Sequence, residues 1–157
     1  MSSGLDNGRY TNFGEGPDAL GKYVTHLNTL PQIFEPGKFF GYSNASAIIA
    51  GYVAERVAGK PWDLLLKERI LTPAGFKNTV TLQEDFVFQR VSAGHTIDGK
   101  VIRPWNSIGR AQIPSGGGNF AMSAHELARF GQLFINEGVA DTGKRIILKN
   151  SVKTMMT

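Results

Sequence analysis

Cysteine is absent from the 157 residues of this sequence. The chain therefore forms no disulfide, uses no thiolate nucleophile and holds no cysteine-ligated zinc. Long apolar runs are missing too, and none approaches the roughly 20 residues that a membrane-spanning helix needs. The first six residues contain neither a basic stretch nor an apolar core. The sequence thus predicts no signal peptide and no membrane span, and it leaves the compartment open.

Clusters of charge and of metal-binding side chains are also lacking. The formal net charge is +4, but the bases are scattered and the longest basic run is Lys144 and Arg145, which argues against nucleic-acid binding. His26, His95 and His125 lie far apart, without a second histidine or a carboxylate at metal-ligand spacing. The glycine-rich stretch at 116–118 lacks the ending of a phosphate-binding loop. No metal, nucleotide or other cofactor is predicted.

The composition is that of a globular domain, with 41% hydrophobic residues and ten phenylalanines. This length and this apolar content fit a single domain over residues 1–157, in which residues 1–16 form an irregular lead-in. One apolar stripe after Pro17 predicts a helix that Pro31 closes. The residues of this stripe, spaced by three and four, are Leu20, Tyr23, Val24, Leu27 and Leu30.

A second helix is predicted from Asn44, with Asn44 or Ser46 as its N-terminal cap and Gly59 at its end. Its expected buried face consists of Ile48, Ile49, Tyr52, Val53 and Val57. A third helix opens at Pro61 and ends at Pro73. Its apolar residues are Trp62, Leu65, Leu66 and Ile70.

Periodicity weakens in residues 80–114, which are predicted to be loop with a little strand and a hairpin turn at Asp98 and Gly99. Residues 115–118 form a glycine-rich hinge. Ser123 and Glu126 then make a capping box for a fourth helix, which ends at Gly138. Asn150 and Ser151 indicate one more helix start near the end of the sequence. The pattern predicts a mainly α-helical unit.

The segment with the most chemical content directly precedes the second helix, so that Tyr42 and Asn44 lie in a turn whose side chains can face a cleft. Its residues are Pro36, Gly37, Lys38, Phe39, Phe40, Gly41, Tyr42, Ser43 and Asn44. The segment resembles the Pro-Gly-x-x-Phe-x-Tyr-Ser-Asn motif of class C β-lactamases, the related DD-peptidases and the β-lactamase-like esterases. Further stretches resemble the same family in the same order, at residues 2–5, 68–79 and 116–130.

This resemblance implies the helical lobe of the β-lactamase/transpeptidase-like fold, from a family that is often periplasmic or secreted. In such enzymes the serine of a Ser-x-x-Lys motif attacks a carbonyl, the lysine shares its proton, and the tyrosine of Tyr-x-Asn relays or accepts a proton. By resemblance Tyr42 is the proton-transfer residue, Asn44 orients the substrate or the lysine, and Ser43 is a spacer. The reaction would be acyl transfer to water from a β-lactam, a D-Ala-D-Ala peptide or an ester.

Two of the three family motifs are missing. No serine or threonine precedes a lysine by three positions, and Lys153 and Thr154 are followed by Met155 rather than glycine. A phenol has a pKa of about 10, so ionising one at neutral pH needs a shift worth roughly 4 kcal/mol, which nearby ammonium groups would have to supply. We therefore expect a truncated, inactive portion of such an enzyme, whose partner is the missing catalytic lobe.

Three alternatives remain at the sequence level. Tyr42 and Asn44 can be an ordinary aromatic residue and a helix cap. Ser43, in Gly-Tyr-Ser-Asn-Ala, comes close to a Gly-x-Ser-x-Gly nucleophile elbow, although the βαβ units of an α/β-hydrolase are absent. The chain can also be a stand-alone, non-catalytic helical module that binds a partner or self-associates through exposed apolar surface.

Overall fold

The computed structural model describes residues 1–8, 11–102, 110, 114 and 121–157. Within them the helices are α1 (Ala19–His26), α2 (Asn44–Ala58), α3 (Trp62–Leu66), α4 (Ala124–Ile135) and α5 (Lys149–Met156). Short 3₁₀ segments at Leu27–Thr29 and Gln83–Phe88 and a π-helical turn at Lys67–Leu71 extend or link them. The predicted hinge at 115–118 lies outside the described residues, as does the part of the family-like stretch at 116–120.

The predicted helices are present, and their ends follow local chemistry. α1 continues into its 3₁₀ turn before Pro31. α2 stops at Gly59, which adopts the left-handed conformation with φ of +64° that glycine tolerates best. The third predicted helix changes at Lys67 from α to π geometry rather than running evenly to Pro73. The last helix starts at Lys149, just before the predicted cap residues.

The predicted hairpin is a two-stranded antiparallel sheet, with β1 at Gly94–His95 and β2 at Val101–Ile102. The register pairs Gly94 with Ile102 and His95 with Val101. Gly99 in the turn has φ of +83°, the conformation that the Asp-Gly sequence favours. Both strands are exposed on both faces, so the hairpin adds little to the core.

Apolar side chains form two separate clusters. The first joins α1 to α2 and contains Ala19, Leu20, Tyr23, Leu27, Ala45 and Ile48. The second joins the end of the π turn and the residues after it to α4 and the following loop, and it contains Leu71, Ala74, Phe76, Leu133 and Ala140. One part of the expected α2 face is wrong, because Val53 is 54% exposed and Val57 is 84% exposed.

Residues 1–8 have no helix, but they are ordered against the rest of the chain. Leu5 forms an isolated antiparallel bridge with Gln32, and the N–H of Ile33 donates to the carbonyl of Gly4 at 2.8 Å. Gly4 has φ of +71°, and a Cβ added there would lie 1.9 Å from the carbonyl oxygen of Phe34. Only glycine allows so close an approach, which places the first residues beside the segment that leads into α2.

Candidate functional site

The candidate site lies where residues 31–43, which we call the motif loop, enter α2. Tyr42 is 65% exposed, whereas Asn44, the first residue of the helix, is only 6% exposed. The Tyr42 hydroxyl donates a hydrogen bond to Oδ1 of Asn44 at 3.2 Å. The structure therefore brings the two predicted site residues together. The phenol of Tyr42 is open to solvent, and the carboxamide of Asn44 is buried beside it.

Ser43, rather than Asn44 or Ser46, caps α2, so the predicted cap was wrong. Its backbone is extended, and its hydroxyl oxygen accepts from the N–H of Ser46 at 3.2 Å while its hydroxyl donates to the carbonyl of Asp6 at 3.2 Å. Ser43 is 1% exposed, so it is a structural cap and not just a spacer. A buried hydroxyl with both hydrogen-bonding roles filled does not fit the exposed nucleophile of an elbow.

The first residues of the chain hold the motif loop from one side. The N–H of Gly37 donates to the carbonyl of Ser2 at 2.7 Å, and the N–H of Gly41 donates to the carbonyl of Met1 at 2.9 Å. Closer to the helix, Oδ1 of Asn7 accepts from the N–H of Asn44 at 2.8 Å. Sequence reasoning missed these contacts, and the only signal for them was the family-like stretch at residues 2–5.

Among the described residues, the Tyr42 hydroxyl is hydrogen bonded to Asn44 and not to a lysine. Lys38, the nearest lysine along the chain, lies 4.0 Å from a carboxylate oxygen of Glu35 in an exposed pair. Other lysines pair with acidic residues elsewhere, namely Lys22 with Asp18, Lys60 with Glu68, Lys100 with Asp98 and Lys149 with Glu137.

A second polar centre joins the start of α4 to the turn at residues 77–79. The Ser123 cap accepts from the N–H of Glu126 at 3.2 Å, as a capping box predicts. The Glu126 carboxylate, only 2% exposed, instead accepts from the N–H groups of Lys77 (2.6 Å) and Asn78 (3.0 Å) and from the Thr79 hydroxyl (2.6 Å). The reciprocal half of the predicted capping box is thus replaced by a long-range contact.

The environment of Glu126 favours its ionised form. Burial raises the pKa of this carboxyl, whereas the hydrogen bonds from the Thr79 hydroxyl and from two backbone N–H groups lower it. The net pKa lies below the ordinary value for glutamate. A carboxylate with three donors at this depth stabilises the fold, and it is far along the chain from Tyr42.

A cleft of about 700 Å³ is formed by other described parts of the chain. Residues 88–92 line it together with residues 121–124, Asn78 and Val80. Tyr42 and Asn44 do not line this cleft. The phenol of Tyr42, which is 65% exposed, thus lies outside this cleft.

Over residues 1–8, 11–102, 110, 114 and 121–157, no three acidic, histidine or cysteine side chains are grouped as metal ligands. Within the same ranges, none of the helices has the length and apolarity that crossing a membrane requires.

The fold and this loop define a class of protein. The family model described as Beta-lactamase matches residues 1–157, so the chain belongs to the beta-lactamase family. It is 27% identical to penicillin-binding protein 4 of Amycolatopsis lactamdurans, over 98% of this chain and 41% of the relative. It is 28% identical to a beta-lactamase of Pseudomonas fluorescens, over 63% of this chain and 29% of the relative. The chain thus spans about two fifths or less of these relatives' length.

Solved structures share the fold. The octameric penicillin-binding protein homologue of Pyrococcus abyssi superimposes with a TM-score of 0.68 at 20% identity, covering 91% of this chain and 30% of that one. D-amino acid amidase of Ochrobactrum anthropi in complex with L-phenylalanine gives a TM-score of 0.68 at 20% identity, covering 96% of this chain and 45% of that one. These likenesses show that the chain shares the fold of these two proteins.

Proposed function

We propose that this chain is the mainly α-helical lobe portion of a β-lactamase-like serine hydrolase and that it supplies Tyr42 and Asn44 to the reaction site. The reaction is acyl transfer to water from a β-lactam, a D-Ala-D-Ala peptide or an ester. The observation that carries the proposal is the exposed phenol of Tyr42, hydrogen bonded at 3.2 Å to the carboxamide of Asn44 at the start of α2. An exposed phenol directly before the start of a helix can contact reacting groups that a second lobe supplies.

The roles of the two residues follow from their hydrogen bond. The Tyr42 hydroxyl donates to Oδ1 of Asn44. To accept a proton from an attacking serine, the phenol must first lose its own, and its oxygen would then repel Oδ1 of Asn44. An ammonium group beside the pair that donates to both oxygens would offset that repulsion. Asn44 is therefore suited to orient such a lysine, and Tyr42 to move the proton.

We further propose that the isolated polypeptide is inactive, because it has no Ser-x-x-Lys or Lys-Thr-Gly motif to supply a nucleophile and an ammonium group. The expected result is that the pure chain neither hydrolyses nitrocefin or p-nitrophenyl acetate nor is labelled by a fluorescent penicillin. Turnover or labelling that disappears in Tyr42→Phe but persists in Tyr52→Phe would contradict this. Tyr52 is the matched control because it lies on α2, the helix that follows Tyr42, and packs against the first core cluster.

The positive role is tested by joining this segment to a lobe that carries Ser-x-x-Lys, for example by replacing the matching segment of the Amycolatopsis relative. In a chimaera that is labelled by fluorescent penicillin, Tyr42→Phe should slow acylation by about 10²–10⁴-fold, the usual contribution of a proton-transfer residue. Tyr52→Phe should leave the rate close to that of the parent. Equal rates for both variants would remove Tyr42 from the mechanism.

A second candidate function is a non-catalytic contact module. It is favoured by the apolar side chains that the motif loop exposes beside Tyr42, since Ile33 is 61% exposed, Phe39 68% and Phe40 77%. Such residues on one loop are typical of a surface that another polypeptide covers. In this candidate function the covering partner is a second copy of the chain, whereas in the first it is the catalytic lobe.

A further inference from the structure

The start of α2 depends on Asn7, a residue that lies 37 positions before Asn44 in the sequence. The first N–H groups of any helix lack partners within the helix and must find acceptors elsewhere. Oδ1 of Asn7 accepts from the N–H of Asn44 at 2.8 Å, and the carbonyl of Asn7 accepts from the N–H of Ala45 at 3.3 Å. The N–H of the next residue, Ser46, donates to the Ser43 cap.

The orientation of the Asn7 carboxamide is determined by chemistry. The N–H of Asn44 can only donate, so the atom that faces it must be the oxygen and not the nitrogen of the carboxamide. A local turn prepares this position, because the N–H of Gly8 donates to Oδ1 of Asp6 at 2.9 Å. Farther back, the backbone bond between Gly4 and Ile33 fixes the strand-like part of the segment. Asn7 thus lies in a turn whose preceding residues are hydrogen bonded to the motif loop.

We propose that Asn7 is a positioning residue for the Tyr42 and Asn44 pair. By fixing the backbone of Asn44 it fixes the direction of the Asn44 side chain, whose Oδ1 lies 3.2 Å from the Tyr42 hydroxyl. The link from residue 7 to the phenol therefore consists of two consecutive hydrogen bonds. The inference rests on the proposed function, because this alignment matters for catalysis only if Tyr42 moves a proton.

Asn7 is exposed, so its side chain can be shortened without leaving a buried cavity. The chain also offers a matched control at Asn12, an exposed asparagine whose Oδ1 accepts from the N–H of Gly14 at 2.7 Å. Asn12→Ala removes a side-chain acceptor of the same kind from a different part of the surface. Asn7→Asp keeps an oxygen acceptor at residue 7 and is the conservative rescue variant.

The test is NMR spectroscopy on the 157-residue chain, reading the hydrogen exchange of the Asn44 amide and the ¹³Cζ shift of selectively labelled Tyr42. Asn7→Ala should speed exchange at Asn44 by up to about tenfold, the value of one hydrogen bond, and should move the Tyr42 signal. Asn7→Asp should restore both, and Asn12→Ala should leave both at their parent values.

Two results would overturn the inference. If Asn7→Ala lowers the free energy of unfolding but leaves the Tyr42 signal unchanged, Asn7 is only a helix cap. If Asn12→Ala moves the Tyr42 signal as much as Asn7→Ala does, the effect is not specific to residue 7. The experiment needs no turnover. If Tyr42→Phe does not slow acylation of the chimaera, the proposed function is wrong. The geometric role of Asn7 would be unaffected by that result.

Discussion

Loss of the Glu126 side chain should destabilise the fold. Its carboxylate is the acceptor for two backbone N–H groups and one hydroxyl, and the residue is only 2% exposed. In Glu126→Ala these three donors lose their partner, and water replaces part of the loss because Lys77 and Asn78 are exposed. We expect the free energy of unfolding to fall by about 2–4 kcal/mol, as measured by urea denaturation followed by circular dichroism.

The matched control for that variant is Glu84→Ala, at an exposed glutamate in the 3₁₀ segment Gln83–Phe88. A surface substitution of this kind should change the free energy of unfolding by no more than about 0.5 kcal/mol. If Glu84→Ala and Glu126→Ala destabilise the chain equally, the carboxylate of Glu126 is not the link that we infer between α4 and the turn at residues 77–79.

The lowered pKa of Glu126 also predicts a pH dependence. A carboxyl whose pKa is lower in the folded state contributes stability that is fully present above its unfolded value of about 4.3, and this stability is lost as the pH falls through the folded pKa. Other carboxyls titrate in the same range, including Asp141, whose pKa is lowered by its hydrogen bond to Arg129. The contribution of Glu126 must therefore be isolated by difference.

Glu126→Gln removes the charge but keeps an oxygen acceptor, which makes it the suitable reference. The parent chain should be more stable than Glu126→Gln at neutral pH, and the difference in their free energies of unfolding should shrink as the pH is lowered from neutral to about 3. Denaturant titrations of both proteins at several pH values measure this difference. A constant difference across the range would mean that the ionised form of Glu126 is not stabilised by folding.

At the scale of elements, the start of α2 is the junction between fold and candidate site. Ser43→Ala removes the hydroxyl that accepts from the N–H of Ser46 and donates to the Asp6 carbonyl. We expect this variant to lower the free energy of unfolding by about 1–2 kcal/mol. Ser123→Ala removes an equivalent cap from α4 and should cost about 1 kcal/mol. Only the first variant should disturb the NMR signals of Tyr42 and Asn44.

An unchanged Tyr42 environment in Ser43→Ala, or equal disturbance by Ser123→Ala, would mean that the cap does not order the motif loop. The same variant bears on the elbow hypothesis. The Ser43 hydroxyl is buried and both donates and accepts a hydrogen bond. Its loss should therefore lower the free energy of unfolding and should not change any chemical reactivity of the chain.

The spacing of apolar residues was sufficient to predict the helices, but it did not predict which helix faces other parts of the chain pack against. The spacing of apolar residues placed α2 correctly, yet Val57 shares its stripe with Ile48 and is 84% exposed, whereas Ile48 is fully buried. Periodicity tells which residues share a face, and only the packing of other elements decides whether that face is covered. The segment that packs beside α2 at its start was described from sequence as an irregular lead-in.

The candidate site was predictable only in part for the same reason. The adjacency of Tyr42 and Asn44 follows from two positions in a turn, so the sequence indicated it directly. The roles of Asn7 and Ser43 depend on contacts that span 37 residues, and the Glu126 carboxylate reaches a turn 47 to 49 residues away. No local pattern contains such contacts, because they arise only when the chain folds back on itself.

At the scale of the whole molecule, the described residues leave apolar side chains of the motif loop uncovered. Ile33 is 61% exposed, Phe39 68% and Phe40 77%. Exposed apolar side chains grouped on one loop are typical of a surface that another polypeptide covers. The division of the apolar residues into two separate clusters is consistent with this.

We therefore expect the isolated chain to self-associate through the motif loop. Size-exclusion chromatography with light scattering should give a mass above 17.1 kDa that rises with protein concentration. The double variant Phe39→Ser, Phe40→Ser should return it to the monomer, because it removes the two most exposed aromatic side chains of the loop. The double variant Val53→Ser, Val57→Ser removes exposed apolar side chains from α2 and should leave association unchanged. A monomer at every concentration, or equal loss of association in both variants, would show that the motif loop is not the contact surface.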